Sequence, residues 1–278
     1  MRNRRLLTSY LLTACLLIGA ALLLVATVEA QRGRGGNQFR PARVATPADF
    51  DGRFHFCRVA FRQAPDGDGG GWSVDYPKAD ENLSIRLSEL TKTMVSVDPG
   101  GRPNHLIVRL TDPELFQCPF VMVTEPGGAF LDQNEAAALR LYLLKGGFLW
   151  ADDFWGDYAW NHWLAQLGKA LPVAEYPFFD LPLDHPLYRT QFEVAKVAQI
   201  PSIGSFFGGN TSERGAATAV AHARGIADDN GRLMVLMTFN TDYGDSWERE
   251  GDDPAYFYAF GPNGYAFGIN AVLYSLTH

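Results

Sequence analysis

The chain has 278 residues, of which 47% are hydrophobic and 20% charged, with a formal net charge of −7. That balance suits a folded protein with a sizeable core. It excludes a general nucleic-acid binder, because no basic stripe exists to neutralise phosphates. An acidic surface likewise gains nothing from anionic lipid.

Arg2, Arg4 and Arg5 precede an apolar run from Leu11 to Val28, and Val28-Glu29-Ala30 carries small residues at the −3 and −1 positions of a cleavage site. Residues 1–30 are therefore expected to be a cleaved signal peptide, which makes the mature protein periplasmic or secreted. The same run is long enough to remain as an N-terminal membrane anchor, the only membrane attachment expected. Residues 31–49 are rich in Arg, Gly and Pro and read as a flexible linker. Residues 50–278 suit a single α/β domain. Cleavage removes Cys15 and leaves Cys57 and Cys118, which either bridge in an oxidising compartment or sit as two buried thiols.

Phe54 to Phe61 reads as a buried strand, followed by the glycine-rich loop Asp66 to Gly71, closing on Trp72. Leu83, Leu87 and Leu90 have helical spacing within Asn82 to Thr93. His105 to Leu110 and Phe120 to Thr124 are the next strands expected. Asp132 with Glu135 forms a capping box that opens a helix running to Lys145. Gly146 and Gly147 stop that helix, and Phe148 to Ala151 is a continuously apolar central strand. Tyr158 to Leu167 reads as a helix, and Pro172 to Gly215 as mostly irregular chain. Ala216 to Ile226 and Leu233 to Phe239 flank Asp228-Asp229-Asn230-Gly231, a hairpin signal. Thr241 to Glu248 reads as a polar loop, and Tyr265 to Leu276 as a closing helix. Such alternation indicates a mostly parallel sheet with helices on both faces.

Polar residues gather just after the expected strands: Asp112, Glu125, Asp152, Asp153, Asn240, Asp242, Asp245 and Glu248, with Asp66 and Asp68 added by the glycine loop. Open α/β sheets bind ligands beyond the carboxyl ends of their strands, so these side chains are expected to share one rim. The candidate cleft comprises Asp152, Asp153, Trp155, His185, Asn240, Asp242, Asp245, Trp247 and Glu248. Acids in these places also cap helices or bond loop amides, a purely structural role.

Several segments together resemble the bacterial domain of unknown function family 4159: Val108 to Phe116, Pro119 to Gly128, Leu143 to Asp153, Asn240 to Glu248, and Gly268 to Tyr274. The resemblance implies a flavodoxin-like α/β fold similar to class I glutamine amidotransferases, without implying a reaction. In those enzymes a cysteine nucleophile follows the strand that here is Phe148 to Ala151. This chain has Asp152, Asp153 and Phe154 there, so glutaminase chemistry is not expected.

Three functions fit the expected rim. The favoured one is an exported, non-catalytic binding or assembly module of the cell envelope, holding a glycan, peptide or protein partner. The alternative is a metal-assisted hydrolase acting on glycan or peptide, its carboxylates sharing acid and base roles and Trp72, Trp155, Trp160 and Trp247 facing the ligand. No cofactor is predicted, yet a divalent metal on Asp152, Asp153 and Asp242 remains open.

Overall fold

The computed structural model describes residues 42–278. The expected signal peptide and most of the expected linker lie outside the described residues. The first half of the domain runs β1 (Phe56–Val59), β2 (Arg62–Gln63), α1 (Lys78–Leu90), β3 (His105–Val108), β4 (Phe120–Thr124) and β5 (Ala129–Phe130). The second half begins α2 (Gln133–Leu144), β6 (Phe148–Asp152), α3 (Gly156–Leu167) and β7 (Phe179–Asp180). It closes with α4 (Ile203–Phe207), β8 (His222–Ala227), β9 (Leu233–Phe239), α5 (Tyr243–Glu248) and α6 (Pro254–Thr277).

Seven strands form one sheet in the order β3-β1-β4-β6-β9-β8-β7, while β2 and β5 pair separately. The first five are parallel, and β8 and β7 add antiparallel pairings at one edge. This is a flavodoxin-like α/β sheet. Its chain leaves β1 for β3 on one side and then crosses to β4 on the other, so a crevice opens beyond the ends of β1 and β4.

Both faces of the sheet are dry, which explains strands that are apolar throughout instead of alternating. Cys57, Val59, Val121, Val123, Leu149, Ala151 and Val235 pack with Leu139 and Leu143 of α2 and Trp163 of α3. Their neighbours one residue along, Phe56, Phe120, Met122, Phe148, Trp150 and Leu236, pack with α1, α5 and α6. Gly268 lets α6 approach α5 closely, because a Cβ there would lie 2.6 Å from the Trp247 ring.

The capping box expected at α2 is formed: Asp132 Oδ1 accepts from the N–H groups of Asn134 and Glu135, both at 2.9 Å. Glu135 Oε2 accepts from the Asp132 N–H at 2.8 Å. The hairpin between β8 and β9 also forms, with Asp228 Oδ1 taking the N–H of Asn230 and Arg232. Cys57 in β1 and Cys118, just before the neighbouring strand β4, have Cα atoms 6.2 Å apart and are disulfide-bonded.

The structure corrects the expected chain organisation in four places. Thr241 to Glu248 is not a loop: Asp242 caps α5 by accepting from the Asp245 N–H at 2.8 Å, and Tyr243 and Trp247 bury one turn apart. Helix α6 starts at Pro254, well before Tyr265, because Asp253 caps it and its internal Pro262 is exposed. Strand β8 begins only at His222, after a 3-10 turn over Gly215–Thr218. Residues just before the expected boundary at 50 already join the domain, since Ala45 N–H donates to Ile107 O and Ile107 N–H to Arg43 O, both at 2.8 Å. No helix among the described residues is long and apolar enough to cross a membrane.

Candidate functional site

The floor of the site is a buried ion pair. Arg58, inside β1, is fully buried, and its Nε donates to both carboxylate oxygens of Asp80 at 3.1 Å. Its Nη1 donates to Trp72 O at 3.2 Å and Val74 O at 2.9 Å, and also to Thr124 Oγ1 at the end of β4. One guanidinium thus pulls the loop between β2 and α1 down onto the sheet, and that loop carries Asp75.

Above this floor the chain turns sharply. Among the described residues, four non-glycine residues have left-handed backbone: Asp75 (φ 62°), Glu125 (φ 50°), Asp153 (φ 60°) and Asn240 (φ 57°). Three of them directly follow β4, β6 and β9, and the fourth ends the loop that Arg58 holds. Such conformations cost about 1–3 kcal/mol each in unfavourable cases, less for Asp and Asn, and their clustering marks a site. The turns aim Asp75, Glu125 and Asp153 into a cavity of about 180 Å³, where Asp68, Glu213, Asp242 and Asp245 join them. Ser202, Trp155, Arg214 and Arg249 complete the polar lining.

Both arginines are already engaged. Arg214 Nη2 donates to Asp68 Oδ1 at 2.9 Å, and Arg249 Nε donates to Asp245 Oδ1 at 3.1 Å. Arg249 also pairs with Glu248 at 2.7 Å. The remaining carboxylates are poorly compensated. Burial, followed by the Asp245 charge, pushes the Asp75 carboxyl well above the carboxylate range, against the pull of Arg58. Burial and then Asp75 do the same to Asp153, and burial and then Asp153 to Asp242. Asp245 is pushed up to about 6, chiefly by burial, with Arg249 opposing.

The expected residues divide between this cavity and elsewhere. Asp153, Trp155, Asp242 and Asp245 line it together, with Glu125 and Asp68. Trp155 Nε1 donates to Asp153 Oδ1 at 3.1 Å, fixing that carboxylate. Asp152 is fully buried behind the wall, because strand alternation sends its side chain to the other face. There it accepts from Thr238 Oγ1 and from the Gly244 N–H at 3.0 Å, tying β6 to α5. Burial still raises its carboxyl to about 7. Asn240 braces the turn: its Oδ1 accepts from the Gly156 N–H at 3.0 Å and its Nδ2 donates to Val220 O at 3.0 Å. Glu248 is held by Arg249 outside the lining.

His185 and Trp247 do not belong to the cleft. His185 lies toward the opposite end of the sheet: its ring is 5.5 Å from that of Tyr274, whose hydroxyl accepts from the N–H of Leu233 at the start of β9. Its Nδ1 accepts from the Leu187 N–H at 3.2 Å, a capping role. Trp247 is core, its ring 5.4 Å from Trp150. Trp160 stacks on Phe154 and carries Arg224 over its ring, and Trp72 packs against Tyr76. Asp112 accepts from the Arg109 N–H at 2.8 Å beyond the edge strand β3, and Asp66 is exposed.

Asp75, Ser202, Glu213, Arg214 and Arg249 escaped the sequence reading. Asp75 had one signal, an acid in Val74-Asp75-Tyr76-Pro77 just ahead of a helix. One oxygen from each of Asp75, Asp242 and Asp245 lies within 4.8 Å of the others, so among the described residues the set able to hold a cation differs from the expected Asp152, Asp153 and Asp242. Larger hollows, of about 550, 730 and 480 Å³, lie at the start of β1, along α2 and beside the end of α2; none gathers comparable acids.

A family model described as Domain of unknown function (DUF4159) matches residues 55–276, a span that includes every strand and helix around the cavity. The chain belongs to this DUF4159 family. No curated protein matches it. The DUF4159 domain here carries Asp153 at the turn after β6, and both described cysteines, Cys57 and Cys118, are consumed in the disulfide.

Proposed function

We propose that this DUF4159 domain is an exported, non-catalytic binding module of the cell envelope whose ligand presents a compact positive charge. The observation that carries this reading is the imbalance around the cavity: seven carboxylates against two guanidiniums, each already paired with an acid. A hollow in which one sign of charge predominates concentrates the opposite sign. The cavity volume, about 180 Å³, is below the roughly 300–1,000 Å³ of pockets that engulf a drug-sized ligand. It suits an ion, or one ammonium group of a larger peptide or amino-sugar partner. The Cys57–Cys118 bridge supports export, because such bonds persist outside the reducing cytosol.

The alternative is a metal-assisted hydrolase of glycan or peptide, and one observation favours it. Asp153 projects into the cavity from a left-handed turn at the end of a central strand and shares it with Asp245, whose carboxyl burial pushes up to about 6 against the pull of Arg249. Two carboxylates of unlike environment are the usual partners in acid–base chemistry.

Titration of the full chain with spermidine, as an amine probe, tests the binding reading. Binding should be saturable, weaken as NaCl is raised, and drop at least about tenfold in Asp153→Asn. No binding, or binding indifferent to Asp153→Asn, overturns it. Turnover of oligosaccharide or peptide substrates that Asp153→Asn abolishes would favour the hydrolase instead.

A further inference from the structure

Three acids meet at one side of the cavity. One carboxylate oxygen from each of Asp75, Asp242 and Asp245 lies within 4.8 Å of the others, and all three residues are buried. Asp75 arrives on the loop held by Arg58, Asp242 caps α5, and Asp245 lies in the first turn of that helix.

Asp242 and Asp245 have partial partners. Asp242 Oδ1 accepts from the Asp245 N–H, and Asp245 Oδ1 and Oδ2 accept from Arg249 and from the Ile203 N–H at 3.2 Å. Carboxylate oxygens each offer two acceptor sites, so capacity remains. Asp75 differs. The residue is 7% exposed, and no donor reaches its Oδ2. A methyl built on Gly244 would lie 2.3 Å from that oxygen and 3.3 Å from Asp242 Oδ1, so the two oxygens border the same hollow. A buried acceptor without a donor is destabilising, more so when charged, unless something meets it.

We propose that Asp75, Asp242 and Asp245 form a site for one hard divalent cation of the Ca²⁺ or Mg²⁺ class, which rests on the cationic-ligand reading above. The donors are oxygen alone, with no imidazole or thiolate in the lining, and this set selects hard ions over zinc or copper. The spacing agrees. Ca²⁺–oxygen bonds of about 2.4 Å allow ligand oxygens up to about 4.8 Å apart and Mg²⁺ bonds up to about 4.2 Å, so oxygens that all lie within 4.8 Å of one another fall inside the reach of Ca²⁺. Three formal negative charges exceed the two positive ones of the ion, and Arg249 on Asp245 supplies the balance. The rest of the cavity has room for water in the open coordination positions. Asp153, Glu125 and Asp68 lie outside the trio and line the same cavity.

The test uses the full chain stripped with EDTA and titrated calorimetrically with CaCl2 and separately with MgCl2. One ion per chain is expected, with affinity at least about tenfold weaker in Asp75→Asn, which keeps the side-chain shape and suits a left-handed backbone. Should Asp75→Asn fold poorly by circular dichroism, Asp242→Asn, which retains helix capping, must show the same loss. No binding of either ion up to about 10 mM overturns the site, as does unchanged affinity in Asp75→Asn. If spermidine binds and Asp153→Asn weakens it, yet neither ion binds, the metal site falls and the recognition of positive charge stands.

Discussion

Arg58 and Asp80 are fully buried, and so, nearly, is Asp75 above them, yet the chain treats these charges differently. Every facing group around Arg58 is an acceptor: Asp80, two backbone carbonyls and a threonine hydroxyl. Around Asp75 the near neighbours are more carboxylates, and one of its oxygens has no donor at all. The floor is a self-sufficient piece of architecture, while the wall is completed only by protons or by a ligand. Buried charge alone therefore says little about function; the informative quantity is charge the protein's own groups leave unmatched.

The largest effect should come from breaking the floor. Arg58→Met removes the guanidinium and leaves Asp80 buried without its counter-charge, which is expected to destabilise the domain by about 3–5 kcal/mol. Urea denaturation measures this, and a loss under about 1 kcal/mol would mean the floor is not the matched half of the comparison. Loop and cavity should fail together, since the same guanidinium holds Trp72 and Val74.

A smaller change separates the halves. Gly244→Ala places a methyl 2.3 Å from Asp75 Oδ2 without touching Arg58 or Asp80. Displacing the loop by this overpacking is expected to cost about 1–3 kcal/mol. It should also weaken binding of positive charge at least about tenfold. Stability lost with full affinity retained would detach Gly244 and Asp75 from the ligand.

The sheet and its rim were legible from the sequence because they follow from local signals. Gly146-Gly147 ahead of Phe148 to Ala151 announces a helix stop and a strand covered on both faces, and the acids after it fall at the rim by topology. What stayed hidden depends on contacts across the fold. Asp152 and Asp153 look equivalent in one dimension, but alternation buries the first against Thr238 while a left-handed turn aims the second into the cavity. Asp75 sits in chain without periodicity, and its place is set by Arg58, far from it in sequence. His185 belongs to an irregular segment whose return path crosses the far end of the sheet, near Tyr274. Trp247 looked like a ligand platform because α5 was read as loop; one turn of helix after Tyr243 it becomes core.

The smallest effect expected is on the pH dependence of stability, and its sign is fixed. Burial raises Asp152 to about 7, and burial with neighbouring acids lifts Asp75, Asp153 and Asp242 well above the carboxylate range. In the unfolded chain these groups titrate near the ordinary 3.8. Above that value the folded state holds protons the unfolded state has lost, so stability falls as pH rises through the folded values. His55, His185 and His222 are lowered by burial and act oppositely, but only below about 6.5. Between about pH 6.5 and 8 the carboxylates govern, and Tm in EDTA should decline across that interval. Saturating CaCl2 should flatten the decline, because a bound cation holds Asp75, Asp242 and Asp245 in their charged form, leaving Asp152 and Asp153 to supply what slope remains. A Tm that is level or rising over that interval without the ion would show that the wall is matched after all, by donors as effective as those around Arg58.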